Sequence, residues 1–206
     1  MNRVVVVDYG VGNVASVRRG FERLGAGVEL TQDAERIAAA SRVVLPGVGA
    51  FAPAMERLVE LGLDAALRAA VERGGRLLGL CLGYQLLYEE SEEFGTTRGL
   101  GLLKGRVAPF PAGTRTPHVG WNQLRRAPRE IPSLLLSGLE EGAWVYFVHS
   151  FRPEGTDPGD SAAVTDYGGP FPAAAERGNL WGCQFHPEKS SGTGRQILVN
   201  FLEGES

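Results

Sequence analysis

The sequence predicts an α/β fold with a central mixed, mostly parallel sheet that is flanked by helices. Between residues 4 and 80, short apolar runs alternate with helical segments, and glycines cluster where the runs end. Such alternation is typical of a doubly wound parallel sheet, because each helix carries the chain back to the same edge. A chain of 206 residues can bury one sizeable core, so we expect a single domain spanning residues 1–206.

The first half of the chain supplies the parallel strands. Val4–Val7 is a β-branched run closed by a turn, and it predicts a buried strand. Asn13 then caps a helix whose apolar stripe includes Val17 and Phe21. The other elements predicted in this half are strands at 28–30, 43–45 and 77–80 and helices at 33–40, 52–61 and 64–73.

The second half of the chain has a different sequence pattern. From residue 95 to 142, glycine, proline and polar residues interrupt short apolar pieces, which indicates loops and antiparallel strands. The clearest strands lie at 144–148 and 180–185, and residues 154–160 form an exposed connection. An amphipathic helix is predicted at 196–202.

Composition limits the partners and the compartment. The 21 basic and 24 acidic residues give a net charge of −3 without a block of like charge, which argues against nucleic acid as a partner. No apolar run approaches the ~20 residues of a membrane helix, and the start of the chain lacks the apolar core of a signal peptide. Two cysteines are too few for a secreted scaffold. We therefore expect a cytoplasmic protein that does not bind a membrane. We also expect no cofactor and no metal.

Cys81 is the strongest candidate for a nucleophile. It stands in Gly79–Gly83, between an apolar strand and a helical run, as in the G-x-nucleophile-x-G elbow of α/β enzymes. Glycine is needed beside such a sharp turn, since a Cβ would collide with the neighbouring backbone. A helix N-terminus would also favour thiolate over thiol. Cys183 has no elbow around it, and core packing is the simpler interpretation.

A base and an orienting group follow a strand late in the chain. His186 and Glu188 are separated by Pro187, and alternate residues of extended backbone point the same way. The carboxylate of Glu188 can therefore orient the imidazole and stabilise its charged form, as in a nucleophile–His–acid triad. An isolated histidine in a surface turn is the competing interpretation.

An oxyanion hole requires two N–H donors. In elbow enzymes one is the backbone N–H that follows the nucleophile, here Leu82. The glycine-rich loop Pro46–Gly49 follows another strand and offers a second donor. The same loop is also consistent with a simple turn or a phosphate cradle, but neither phosphate-binding glycine motif occurs in the chain.

These features together resemble the triad (class I) glutamine amidotransferases, and among them the glutaminase subunits of imidazole glycerol phosphate synthase. The residues that carry the resemblance spread over nearly the whole chain. They are Asp8–Asn13, Pro46–Phe51, Gly79–Leu87, Pro117–Asn122, Tyr146–Ser150 and Gln184–Ser190. The resemblance implies a flavodoxin-like amidotransferase fold. The sequence departs from the family pattern at Tyr84 and Cys183, where the family more often has Met and Val.

The resemblance also implies a reaction and a set of site residues. Cys81 would form a thioester with L-glutamine, releasing ammonia and then glutamate, with His186 and Glu188 completing the triad. The oxyanion would be held by the N–H groups of Val48 and Leu82. The residues expected to flank the substrate are Gly47, Gly49, Gln85, Glu93, Tyr146, His149 and Ser150.

A partner subunit is implied as well. Ammonia would pass to a (β/α)₈ cyclase subunit in a heterodimer, which makes imidazole glycerol phosphate and aminoimidazole carboxamide ribotide in histidine biosynthesis. The residues expected at that interface are Asn13, Trp121, Asn122 and Lys189. Three other interpretations stay open: the glutaminase of another synthase (anthranilate, aminodeoxychorismate or pyridoxal phosphate), a stand-alone cysteine hydrolase, and a flavodoxin-like binding module without catalysis.

Overall fold

The computed structural model describes residues 3–204. In these residues 14 strands form three sheets, and eight of the strands form the central sheet. The strands are β1 (Arg3–Val7), β2 (Gly27–Thr31), β3 (Arg42–Leu45), β4 (Arg76–Leu80), β5 (Glu90–Ser91), β6 (Thr97–Arg98), β7 (Arg106–Pro109), β8 (His118–Gln123), β9 (Arg125–Arg126), β10 (Trp144–His149), β11 (Phe151–Glu154), β12 (Ser161–Asp166), β13 (Pro170–Arg177) and β14 (Leu180–Cys183). The helices are α1 (Val14–Glu22), α2 (Ala34–Ala39), α3 (Phe51–Glu60), α4 (Leu63–Glu72), α5 (Leu82–Gln85) and α6 (Ser191–Glu203).

The central sheet has the order β2-β1-β3-β4-β14-β13-β12-β9. The strands from β2 to β14 are paired in parallel, and the pairs from β14 to β9 are antiparallel. The mixed, mostly parallel sheet predicted from the alternation of strands and helices is therefore confirmed. Two smaller sheets stand apart from it: the antiparallel ribbon β8–β10 and the four strands β11-β7-β5-β6.

Both faces of the central sheet are covered by apolar side chains. Along β1, Val4 and Val6 belong to one buried cluster, whereas Val5 and Val7 belong to the other. This is the pattern of a strand buried on both sides, which explains the unbroken valine run. That the chain forms one domain stays a prediction. None of the helices within residues 3–204 is long and apolar enough to cross a membrane.

The helical elements of the first half lie within a few residues of their predicted positions. Asn13 caps α1, since its Oδ1 accepts the Ser16 N–H at 3.3 Å. A helical run follows Cys81 as predicted, but it is short: α5 has four residues. The carbonyls of Leu86, Leu87 and Tyr88 accept N–H groups from residues 100–103 and so leave the helical pattern.

Candidate active site

Cys81 occupies the sharp turn between β4 and α5. Its backbone has φ 53° and ψ −110°, a conformation that L-residues rarely adopt. A Cβ at Gly79 would lie 2.7 Å from the Gly83 carbonyl oxygen, and a Cβ at Gly83 would overlap the carbonyl oxygen of Leu45. Both flanking glycines are therefore required by contacts with the surrounding backbone, as the sequence predicts for a nucleophile elbow.

The thiol faces a cavity of about 360 Å³ that also contains His186. Cys81 is 6% exposed, and its Sγ lies 3.7 Å from the Val148 carbonyl oxygen, which can accept the thiol hydrogen. Because α5 is a single turn, it supplies little of the macrodipole that a long helix would place behind the sulfur. The nearby imidazole is the group that can take the thiol proton.

His186 is held in the cavity lining by hydrogen bonds of its backbone and its ring. Its N–H donates to the Tyr146 carbonyl at 2.9 Å, and its Nδ1 lies 2.8 Å from Glu188 Oε1. Burial lowers the pKa of His186, but hydrogen bonds with Cys81 and Glu188 outweigh it and raise this pKa to about 10. The structure thus brings together the three residues predicted as a triad, in an arrangement that favours an imidazolium.

The loop predicted to complete the oxyanion hole has a different orientation from the one required. The Leu82 N–H donates to the Gly47 carbonyl at 3.3 Å, so the loop itself occupies one of the two expected donors. Gly47 is tightly packed, since a Cβ there would lie 2.9 Å from Gly83 N and from Tyr9 Oη. A hole formed by Val48 and Leu82 would require the peptide between Gly47 and Val48 to turn over, a motion next to Gly49, whose φ is +95°.

Most of the predicted substrate residues meet at this cavity. Its lining includes Gly49, Gln85, Glu93, His149 and Ser150, together with Val48, Leu82 and Lys189. Gln85 Nε2 donates to the Phe151 carbonyl and to Gln184 Oε1, both at 2.9 Å. Glu93 Oε2 accepts the N–H of Phe51 at 2.7 Å, so this carboxylate also caps α3. Gly47 and Tyr146 are absent from the cavity lining, but their carbonyls accept the N–H groups of two lining residues, Leu82 and His186.

Comparisons with known proteins identify the family. The model of class-I glutamine amidotransferases matches residues 5–204. The imidazole glycerol phosphate synthase subunit HisH of Moorella thermoacetica is 49% identical over 203 residues, which are 98% of this chain and 95% of that subunit. The chain belongs to the HisH family of class-I glutamine amidotransferases. HisH of Geobacillus kaustophilus is 50% identical, over 96% of this chain and 94% of that subunit.

Solved structures show that the fold of this HisH-family protein is that of other amidotransferases. A crystal structure of a glutamine amidotransferase matches with a TM-score of 0.75 at 22% identity, covering 97% of each chain. The structure of PurLQS from Thermotoga maritima matches with a TM-score of 0.73 at 21% identity, again over 97% of each chain. At these identities the likeness establishes the fold alone.

Beside the cavity, this HisH-family chain exposes one apolar face of the β8–β10 ribbon, which we name the apolar ribbon face. Its apolar residues are Val119, Trp121, Trp144, Tyr146 and Val148. Trp121 is 48% exposed and Trp144 53% exposed. Sequence reasoning selected Trp121 and missed Trp144; the alternation of Trp144, Tyr146 and Val148 along one strand was the available signal. Lys189 Nζ lies 6.0 Å from the ring centroid of Tyr146.

The other two residues predicted at the interface are used inside the molecule. Asn13 caps α1, and Asn122 points to the opposite side of β8 from Trp121, where its Nδ2 donates to the Asp166 carbonyl at 3.0 Å. Their contact with a partner stays a prediction.

Proposed function

We propose that this chain hydrolyses L-glutamine to glutamate and ammonia and delivers the ammonia to the cyclase subunit of imidazole glycerol phosphate synthase in histidine biosynthesis. Membership of the HisH family supports the assignment. The observation that carries the chemistry is the meeting of Cys81 and His186 at one cavity, with the imidazole hydrogen-bonded to the Glu188 carboxylate behind it. The thiol, base and orienting group of a triad are then all present.

The reaction runs through a thioester. The Cys81 sulfur attacks the side-chain amide carbon of glutamine, and His186 gives its Nε2 proton to the departing nitrogen, which leaves as ammonia. The same imidazole then removes a proton from water, whose oxygen attacks the thioester and releases glutamate and the thiol. The Glu188 carboxylate accepts a hydrogen bond from the Nδ1–H throughout, so it fixes the tautomer and stabilises the charged ring.

The tetrahedral oxyanion is stabilised by the N–H groups of Val48 and Leu82. Leu82 N–H is freed when the Gly47 carbonyl turns away, and each donor in such a hole contributes roughly 2.7–4 kcal/mol. We expect docking of the partner to favour the turned loop, because Val48 is exposed next to the apolar ribbon face. Glutamine hydrolysis is then weak until the partner binds.

The glutamine substrate lies along the cavity from Cys81 toward Gln85 and Glu93. The Glu93 carboxylate suits the substrate ammonium, while it keeps its hydrogen bond to the Phe51 N–H. The Gln85 amide, with both Nε2 hydrogens engaged by Phe151 and Gln184, has its Oε1 left to accept from the substrate.

The apolar ribbon face is proposed as the docking surface for the (β/α)₈ cyclase. It adjoins the triad through the backbone, because the Tyr146 carbonyl accepts the His186 N–H and the Val148 carbonyl faces the Cys81 sulfur. Exposed aromatic side chains such as Trp121 and Trp144 are typical anchors of protein interfaces. A partner seated here would cover the cavity and receive the ammonia directly.

The experiment is to mix the chain with the cyclase subunit and measure glutamate release with and without the cyclase ligand. We expect stimulated turnover with this cyclase and not with an anthranilate or aminodeoxychorismate synthase. Trp144→Ala should weaken the affinity for the cyclase by about 30-fold or more, since buried tryptophan anchors contribute ~2 kcal/mol or more.

Val59→Ala is the matched control. Val59 is an exposed apolar residue of α3 outside the ribbon, so its removal should leave the affinity within twofold. Undiminished glutaminase activity without any partner would instead favour a stand-alone hydrolase.

A further inference from the structure

Two buried imidazoles form a hydrogen-bonded pair, and one of them, His149, lines the cavity. His118 Nδ1 lies 2.9 Å from His149 Nε2, and His149 Nδ1 donates to the Phe151 carbonyl at 2.8 Å. At the other end, Asn122 Nδ2 lies 3.3 Å from His118 Nε2. A continuous chain of hydrogen bonds therefore runs from β8 of the ribbon to the start of β11 at the cavity.

The partners of this chain determine which nitrogen carries each proton. A carbonyl only accepts, so His149 Nδ1 carries its proton and Nε2 is left to accept from His118 Nδ1. His118 Nε2 then accepts from the amide of Asn122, whose orientation is fixed because its Oδ1 accepts the Gln123 N–H at 2.8 Å. Burial lowers the pKa of His118 to about 4 and that of His149 to about 3, which keeps both rings neutral at pH 7.

Aromatic rings hold His118 in this orientation. Its imidazole is stacked between Tyr167, at a centroid distance of 4.0 Å and an angle of 15°, and Phe147, at 4.7 Å and 22°. Phe110 and Phe171 meet it edge-on, with centroids 6.4 Å and 6.2 Å away. A ring enclosed on its faces and edges has little freedom to rotate, so the donor at Nδ1 is permanently directed at His149.

The far end of the chain sets the orientation of Gln85. The Phe151 carbonyl that accepts from His149 also accepts from Gln85 Nε2 at 2.9 Å. The second Nε2 hydrogen of Gln85 goes to Gln184 Oε1. One carbonyl therefore joins the imidazole pair to an amide that lines the cavity with Cys81.

We propose that His118 is a positioning residue for glutamine hydrolysis: through His149 it holds the Phe151 carbonyl, and through that carbonyl the amide of Gln85. The inference deepens the proposed glutaminase function and rests on it. His118 acts on the binding of the substrate and leaves the thiol–imidazole chemistry of Cys81 and His186 unchanged, so its loss raises KM for glutamine far more than it lowers kcat.

The test uses His118→Phe in the complex with the cyclase. Phenylalanine fills the aromatic enclosure and removes both ring nitrogens, so the fold is retained while the His149 acceptor loses its donor. We expect KM for L-glutamine to rise at least tenfold, kcat to change less than threefold, and ammonia-dependent synthesis to stay unchanged. His118→Asn keeps an N–H near the Nδ1 position, so its KM should rise much less than that of His118→Phe.

Phe171→Leu is the packing control. Phe171 packs against both imidazoles without hydrogen bonding to them, so this variant should lose stability while KM stays within twofold. An unchanged KM in folded His118→Phe, or an equal rise in Phe171→Leu, would overturn the proposal.

A second readout needs no activity. Nitrogen-15 NMR of the imidazoles in the wild-type chain at pH 7 should show His118 and His149 as neutral rings protonated at Nδ1. Protonation of His149 at Nε2 would refute the hydrogen-bond chain. If the wild-type complex releases no glutamate, the proposed function fails, whereas the tautomers still report on the pair.

Discussion

His186 and His149 line the same cavity and are buried to the same degree, yet their imidazoles are in opposite states. His186 is 5% exposed and has a pKa raised to about 10, whereas His149 is 6% exposed and has a pKa lowered to about 3. Burial lowers the pKa of both rings. His186 alone has Cys81 and Glu188 as partners, which favour the charged ring.

The two imidazoles have different roles in the proposed mechanism: His186 takes part in the reaction, and His149 holds neighbouring groups in place. An imidazole beside a carboxylate and a thiol exchanges protons during the reaction, whereas an imidazole between a carbonyl and a second neutral ring holds one tautomer. In the proposed mechanism the same residue type is therefore a base at position 186 and a fixed hydrogen-bond connector at position 149. Partners, and not burial, decide which role a histidine takes here.

The largest effect expected is that of Cys81→Ala. Without the sulfur no thioester forms, so glutamine-dependent turnover should fall by at least ~10⁴-fold, while ammonia-dependent synthesis by the complex stays within twofold. The pKa of His186 should also fall, because a hydrogen bond that raises it is lost, and that of His149 should not rise. Rates with both nitrogen sources and an NMR titration of the three histidines measure these changes; loss of synthesis with ammonia would make the residue structural.

Glu188→Gln should have the next largest effect. The neutral amide keeps the shape of the side chain but no longer favours the imidazolium, so the pKa of His186 falls and the wrong tautomer becomes accessible. We expect kcat for glutamine to fall about 10³- to 10⁴-fold, as when the acid of other triads is converted to its amide. A kcat within tenfold of wild type would remove Glu188 from the triad.

Acid should destabilise the protein through the His118–His149 pair. Because the pKa values of both rings are lowered to about 4 and about 3, the unfolded chain binds more protons than the native state below pH ~6.5. Their contribution to the free energy of unfolding is full above that pH and is lost as the pH falls toward 4. Between pH 7 and pH 5, the free energy of unfolding should fall by up to about 2 kcal/mol for each of the two rings.

Urea melts at pH 7 and pH 5 measure this loss. His118→Phe should lose about 2 kcal/mol less than wild type over the interval. His186 has the opposite sign: its raised pKa stabilises the native state at low pH, and that contribution disappears as the pH rises toward 10. Equal losses in wild type and variant would contradict the neutral pair.

The smallest effect expected is that of Lys189→Ala. Lys189 is exposed on the short turn that carries Glu188, and its ammonium lies near the ring of Tyr146. An exposed charge contributes little to stability, so the free energy of unfolding should change by less than ~0.5 kcal/mol, while affinity for the cyclase falls about two- to fivefold. Titration of glutamate release with cyclase measures it; an unchanged midpoint would exclude Lys189 from the docking surface.

Local chemistry made much of the molecule predictable. The valine run of β1, the Asn13 cap and the glycines beside Cys81 each act over a few residues, and all were found where the sequence placed them. His186 and Glu188 were predictable as a pair for the same reason, since only one residue separates them.

Features that depend on distant contacts were not predictable. The short α5 ends because residues 100–103 take the carbonyls that a longer helix would use. The pairing of His118 with His149 spans 31 positions and depends on the register of β8 against β10. The engaged Leu82 N–H depends on the rotation of a single peptide in another loop, for which no residue type codes.

The backbone conformation of Cys81 also affects thermal stability. A cysteine held at φ 53° and ψ −110° occupies a region in which glycine is far less strained. Cys81→Gly should therefore melt at a higher temperature than the wild-type chain although it hydrolyses nothing. A cysteine at this position therefore lowers the melting temperature, and a selection for heat resistance alone would favour glycine there.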